Sequence, residues 1–212
     1  MIILPTKGRP KNLQRFIEAH SKLASAPVYV VFDKEDATSY ECVKFPSNFK
    51  RVCVPSWMRL GDIFNRLFQT FPNEEYYGIV ADDVVPGKEE YDSLLAEAAI
   101  PNRIAWGFDG GADETLPRHP FIGGELIRWL GYIAPPGMKH WYIDDVWREL
   151  GKAFNCAVYL PEIPMLHFHP ANGTAPEDRT YLDQPNTTVD RMTFERWKRF
   201  ILPELVKRYN GI

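Results

Sequence analysis

The sequence predicts an α/β protein, built on a mainly parallel twisted sheet with helices on both faces and followed by a less regular second half. Three observations carry this. Short apolar runs alternate with amphipathic helical segments through residues 1–110. Two of those runs end in carboxylates, as strands that deliver ligands to a sheet edge do. Hydrophobic residues make up 45% of the 212 and charged residues 25%, enough apolar material for a core and too ordinary a balance for a disordered, collagenous or disulfide-stapled chain.

The elements follow in order. Met1 to Leu4 is an apolar run stopped by Pro5, a buried first strand. Over residues 10–23, Leu13, Phe16, Ile17, His20 and Leu23 share one helical face, and Pro10 suits the first turn, where no N–H is needed. Val28 to Phe32 is a β-branched and aromatic strand ending at Asp33, and Arg51 to Val54 is a third strand before Pro55. Residues 59–71 give the most regular helix, with Leu60, Ile63, Phe64, Leu67, Phe68 and Phe71 at steps of three and four. Tyr76 to Val80 is a buried strand that delivers Asp82 and Asp83. A helix over 87–99 and a strand from Arg103 to Trp106 complete the alternation.

The second half is rich in Gly, Pro, Trp and His. It predicts a tight turn at Gly123-Gly124 before a helix at Glu125, and a helix from Asp144 to Ala153 whose acidic start suits the helix dipole. Val158 to Leu160 reads as a strand, 170–190 as loop, and Thr193 to Tyr209 as a final helix kinked at Pro203. The domain reading is one unit over 1–190, divided into 1–110 and 111–190, with a helical extension over 191–212.

Several classes are excluded or disfavoured. No apolar run approaches the roughly 18 residues of a membrane span. The opening MIILPTKGRPK is broken too early by Pro5 and Lys7 for a secretory signal, and Cys42, Cys53 and Cys156 form no CxxC pair, so a cytoplasmic chain with reduced thiols is expected. A net charge of −3 argues against a dedicated nucleic-acid binder, although both ends are locally basic. The basic tail reads as a solvated helix face or as a contact for an anionic acceptor or membrane surface. The absence of GxGxxG and GxxxxGK[ST] disfavours dinucleotide redox chemistry and P-loop hydrolysis.

The chemistry-bearing residues cluster at strand ends. Asp82 and Asp83 suit a hard divalent cation, Mn²⁺ or Mg²⁺, or else cap the next helix. Pro5-Thr6-Lys7-Gly8-Arg9-Pro10 offers two cations and backbone N–H groups before a helix, a setting for a diphosphate. Asp33 could read a ribose or sit in a solvated turn. Asp144 or Asp145 could serve as a general base or as an acidic helix cap. His167 and His169, two apart on a strand, would point the same way, and one of them suits a metal already held by a carboxylate.

Taken in this order, the motifs resemble the GT-A, Rossmann-like glycosyltransferases, in particular small family 2-like enzymes often encoded by phages and bacteria. PTKGRP resembles that family's opening. Gly61-Asp62 and Asn65 resemble the segment before its metal motif, and Ala81-Asp82-Asp83 resembles its DXD region, with Ala81 where a strict motif has Asp. Asp144-Asp145 resembles its base motif, and His167 or His169 its late histidine. The resemblance implies a metal-dependent transfer of a sugar from a nucleotide-sugar donor, UDP-linked by expectation, to an acceptor hydroxyl, with inversion. Pro5, Thr6, Lys7, Arg9, Asp33, Asn65 and Asp82 would bind the nucleotide. Asp83 with His167 or His169 would hold the metal, and Asp145, or Asp144, would be the base. Gly123, Gly124, Glu125 and Trp141 would line the donor sugar or acceptor. Residues 1–110 would then be the nucleotide half and 111–190 the acceptor half. A glycan, protein, lipid or modified nucleic acid acceptor stays open, as does the oligomeric state. A nucleotidyltransferase and a non-catalytic nucleotide-sugar-binding protein are the alternatives.

Overall fold

The computed structural model describes residues 1–111, 114–170, 173–176 and 186–211. In chain order they form β1 (Ile2–Pro5), α1 (Pro10–Leu23), β2 (Val28–Asp33), β3 (Phe49–Val54), α2 (Leu60–Thr70), β4 (Tyr76–Ile79), β5 (Val84–Pro86), α3 (Tyr91–Ala99) and β6 (Ile104–Phe108). These are followed by β7 (Phe121–Gly123), α4 (Gly124–Leu130), α5 (Ile143–Ala153), β8 (Ala157–His167), α6 (Thr187–Arg196) and α7 (Leu202–Asn210). The sheet runs β3-β2-β1-β4-β7-β6-β8-β5. The pairs β3-β2, β2-β1, β1-β4 and β6-β8 are parallel, and β7 and β5 run against their neighbours. The sheet is therefore mainly parallel, as the alternation predicts.

Both faces are covered, which explains why the central strands read as continuous apolar runs. Ile2, Leu4, Val28, Val30 and Phe32 pack with α1 and α3 on one side. Met1, Ile3, Val31, Tyr77 and Ile79 pack with α2, α4 and α5 on the other. Each fully buried Ile, Leu or Phe contributes about 2 kcal/mol by leaving water. The segment read as an extension joins this second layer: Phe194, Trp197, Leu202 and Leu205 are part of its core.

Several elements differ from the sequence reading. The helix expected over 87–99 begins only at Tyr91, because β5 occupies 84–86 and Glu90 takes a left-handed φ of 56°. The strand expected at 158–160 runs on to His167, with a register shift beside Gly107. A Cβ on Gly107 would collide with the Ile163 carbonyl, so glycine lets the two strands close there. Lys34–Tyr40, to which the sequence reading assigns no element, is a 3₁₀ helix. Part of the expected loop at 170–190 is helical, since α6 starts at Thr187 with the Asn186 side chain accepting the Thr188 N–H at 2.7 Å; residues 171–172 and 177–185 lie outside the described residues. At Pro203 the helix does not simply kink. Trp197–Ile201 is a π-helical turn, in which the Leu202 N–H reaches back to the Trp197 carbonyl. The wider turn accommodates a proline that has no N–H to give Arg199.

Candidate active site

The carboxyl ends of the parallel strands β1, β2 and β4 open on one edge of the sheet, where α/β folds place their ligands. A cleft of about 770 Å³ lies there, within the size range of small-molecule sites. Of the residues singled out in the sequence, Pro5, Thr6, Lys7, Arg9, Asp33, Asp82, Asp83, Trp141, Asp144, His167 and His169 line it.

The turn after β1 is built on Gly8, whose φ of 65° admits the left-handed bend and whose N–H donates to Asp36 at 2.6 Å. That bend sends Arg9 back across the end of β4. Its Nη1 lies 3.3 Å from Asp82 Oδ1 and 3.3 Å from Asp83 Oδ2. Thr6 Oγ1 donates to Asp82 Oδ2 at 2.6 Å and lies 2.8 Å from the Tyr40 hydroxyl. Asp82 is thus held by its own chain on both oxygens. Burial first, then the neighbouring Asp83 charge, pushes its carboxyl up to about 7 against the opposing pull of Arg9 and Thr6. Lys7 pairs with Asp33 at 3.2 Å, with its side chain largely exposed.

Strand register brings Asp83 and His167 together. Val84 on β5 pairs with His167 on β8, so the residue before Val84 meets the end of β8. The Phe168 N–H donates to the Asp83 carbonyl at 2.9 Å, and His167 Nε2 lies 3.1 Å from Asp83 Oδ1. His169 lies beside it, with ring centroids 5.0 Å apart.

A residue the sequence reading passed over, His119, stacks edge-on to His167 at 4.7 Å. It is 6% exposed and lines the cleft, and its Nε2 has no hydrogen-bond partner among the described residues. Burial first, then His167, holds its pKa far below the usual histidine range, so the ring is neutral.

Among the described residues no group of three His, Cys, Asp or Glu side chains is already gathered as a metal cage. The donors nevertheless fit a divalent cation of the Mn²⁺ or Mg²⁺ kind: a carboxylate, an imidazole against it, and a buried neutral imidazole nitrogen left without a partner.

The other wall is the segment His140 to Asp144. The Asp190 carboxylate on α6 accepts the backbone N–H groups of Lys139, His140 and Trp141, each at 2.8 Å. Tyr142 follows with a left-handed φ of 65° and starts α5. That start fixes the helical phase. Asp144 faces the cleft, while Asp145 pairs with Arg148 and does not line it. Of the two carboxylates that the resemblance offers as base, Asp144 is the one that lines the cleft. Burial first, then the adjacent Asp145 charge, raises the Asp144 pKa.

Besides Asp145, four expected site residues do not line the cleft. Asn65 does not line the cleft: its Oδ1 accepts the Ile133 and Ala134 N–H groups at 2.9 and 3.1 Å, and its Nδ2 donates to the Ala134 carbonyl. Gly61 and Asp62 serve the same seat. A Cβ on Gly61 would strike the Met138 carbonyl, and Asp62 pairs with Lys139 at 3.2 Å. Gly123, Gly124 and Glu125 sit at the opposite end of the sheet from Asp82 and Asp83, because β7 is antiparallel to β4 and pairs Gly123 with Tyr76. The two glycines admit close backbone, since a Cβ at either would collide with the carbonyl of Pro101 or Glu74. That close approach is to protein, not to a ligand.

No protein-family profile matches the chain, and no curated protein matches it in sequence. Solved structures do. S. aureus TarS, residues 1–349, aligns with a TM-score of 0.56 at 13% identity over 78% of this chain and 59% of that one. A longer S. aureus TarS structure aligns with a TM-score of 0.57 at 14% identity over 81% of this chain and 37% of that one. The chain thus spans less than two thirds of either TarS chain. The mannosyltransferase PcManGT from Pyrobaculum calidifontis, in complex with GDP-Man and Mn²⁺, aligns with a TM-score of 0.57 at 10% identity over 99% of this chain and 72% of that one. At 10–14% identity the likeness shows the fold, a Rossmann-like GT-A fold.

Proposed function

We propose that the protein is a metal-dependent glycosyltransferase, moving a sugar from a nucleotide-sugar donor to an acceptor hydroxyl with inversion. The carrying observation is that one cleft at the strand ends holds both the Asp83–His167 pair and the half-buried Asp144. The glycosyltransferase neighbours, one bound to GDP-Man and Mn²⁺, support the same reading.

Asp83, His167 and the unpartnered His119 nitrogen would hold the metal, with His169 beside them. The metal, when bound, supplies positive charge to the donor diphosphate and so eases departure of the nucleoside diphosphate. The chain adds its own cations. Arg9, bridging Asp82 and Asp83, and Arg118 at the cleft wall would face the same phosphates. Thr6, itself bonded to the Tyr40 hydroxyl, fixes Asp82, and through it the position of Arg9. Asp33 and Lys7, at the end of β2 and the turn after β1, would meet the nucleoside. Trp141 offers an apolar face to a sugar ring. Asp144 would take the proton from the acceptor hydroxyl as that oxygen attacks the anomeric carbon from the face opposite the leaving group. Its raised pKa makes it a stronger base than a free aspartate.

The test is donor turnover with a panel of UDP- and GDP-sugars, Mn²⁺ and Mg²⁺. Release of a nucleoside diphosphate that depends on metal and on Asp144 supports the reading. Consumption of a nucleoside triphosphate with pyrophosphate release would replace it with nucleotidyl transfer.

A further inference from the structure

The π-helical turn has a consequence for the surface. Along α6 and α7 the inward residues are Asp190, Phe194, Trp197, Leu202 and Leu205, all buried. The five-residue step from Trp197 to Leu202 is the extra residue of the turn, and it keeps both against the core. The outward side is left with Val189, Met192, Phe200 and Ile201, which are 62%, 66%, 58% and 47% exposed. Single exposed apolar side chains are ordinary. Here, among the described residues, four of the six large hydrophobic side chains that are exposed fall on this one stretch.

The same stretch is basic. Residues 186–211 carry Arg191, Arg196, Lys198, Arg199, Lys207 and Arg208 against Asp190, Glu195 and Glu204, in a chain whose net charge is −3. Asp190 is buried and committed to the cleft loop. Lys198 pairs with Glu149 and Lys207 with Glu204, whereas Arg191, Arg196 and Arg199 have no carboxylate partner among the described residues. The Arg199 guanidinium lies over the Phe200 ring, 5.2 Å from its centroid, so cation and apolar group present together. Among the described residues, Glu195 is the one acid that lines the patch with Arg196 and Arg199.

We propose that this outer face docks on an anionic lipid surface. The patch is walled only by side chains of its own helical stretch, with no second element to close a seat around the anchor residue of a protein partner. Anionic headgroups over acyl chains match arginines interleaved with apolar side chains and require no such seat. No helix among the described residues is long and apolar enough to cross a membrane, so the contact is peripheral. Docking would bring the back of the cleft wall against the membrane, because Asp190, next to Val189, holds the segment that carries Trp141. The proposal stands apart from the transferase reading and is tested without activity.

The experiment is co-sedimentation of the full chain with vesicles of phosphatidylglycerol and phosphatidylcholine, against vesicles of phosphatidylcholine alone, at low and high salt. The expected result is binding to the anionic vesicles only, weakened by salt. Met192→Glu with Phe200→Glu should cut the bound fraction about tenfold or more, with the melting temperature unchanged. Arg196→Gln with Arg199→Gln, which removes charge without placing acid on the helix, should also weaken binding. Failure to bind anionic vesicles at low salt would overturn the proposal, as would binding indifferent to both double variants. A concentration-dependent dimer in light scattering that Met192→Glu dissolves would assign the face to a second copy and overturn it equally.

Discussion

The carboxylate of Asp190 accepts the backbone N–H of Trp141 at 2.8 Å, and through that bond a helix near the C-terminus sets the position of a cleft wall. The same carboxylate takes the N–H groups of Lys139 and His140 and is 1% exposed. Replacing it by Ala strands three N–H donors, so Asp190→Ala should destabilise the fold by about 3 kcal/mol or more. Donor turnover should fall as well, because the segment leading to Asp144 loses its anchor. Urea titration and steady-state kinetics on the same preparations check both. Unchanged kinetics in a folded Asp190→Ala variant would show that the loop holds itself.

Asp144 and Asp145 can be told apart by kinetics. Asp144→Asn should lower kcat by about 10²- to 10⁴-fold, the usual contribution of a general base, with little change in donor KM. Asp145→Asn should stay active. Because the Asp145 charge is the second cause of the raised Asp144 pKa, its removal should move the acidic limb of the pH–rate profile to lower pH. A large kcat loss in Asp145→Asn and not in Asp144→Asn would reverse the assignment.

Much of this site was legible in the sequence. β1, β2 and β4 announce themselves as apolar runs, and the residues at or just beyond their ends (Thr6, Lys7, Arg9, Asp33, Asp82 and Asp83) fall at the cleft because parallel strands share one carboxyl edge. The misses have physical causes. β7 has three residues, too few to show a period, and its antiparallel direction carries Gly123 and Gly124 to the far end of the sheet. The phase of α5 depends on the left-handed Tyr142, so pattern alone could not say which of Asp144 and Asp145 lines the cleft. His119 and Asp190 act through long-range contacts that no local spacing reveals. The one available signal for His119 was a histidine next to the run that became β7.

Asn65 tests the distinction between ligand contact and scaffold. Its three bonds to Ile133 and Ala134 predict that Asn65→Ala loses about 2–3 kcal/mol of stability while the donor KM of the folded variant is unchanged. A raised donor KM at unchanged stability would return Asn65 to the nucleotide site.

His20 gives a pH signature far from the cleft. It is fully buried between Tyr91 and the Ala26 carbonyl, at 2.7 and 3.0 Å, and burial lowers its pKa. A histidine that is harder to protonate in the folded state lets the unfolded chain bind the extra proton, so its stabilising effect is complete above the unfolded value of 6.5 and is lost as pH falls below it. His20→Gln should therefore be less stable at pH 7 yet show a shallower loss of stability on acidification, by up to about 1.4 kcal/mol per pH unit. Parallel pH–stability curves for the two proteins would contradict the assignment.

The most direct test of the glycosyltransferase reading is thermal unfolding with UDP, GDP and their sugars, with and without Mn²⁺, on the native chain and on Asp83→Ala and His167→Ala. A ligand that binds only the folded state raises the melting temperature by mass action. The account predicts a rise with one nucleoside diphosphate that requires Mn²⁺ and is lost in both variants. No rise with any diphosphate and any metal, from protein that unfolds cooperatively, would contradict it and leave the Asp83–His167 contact as a structural one.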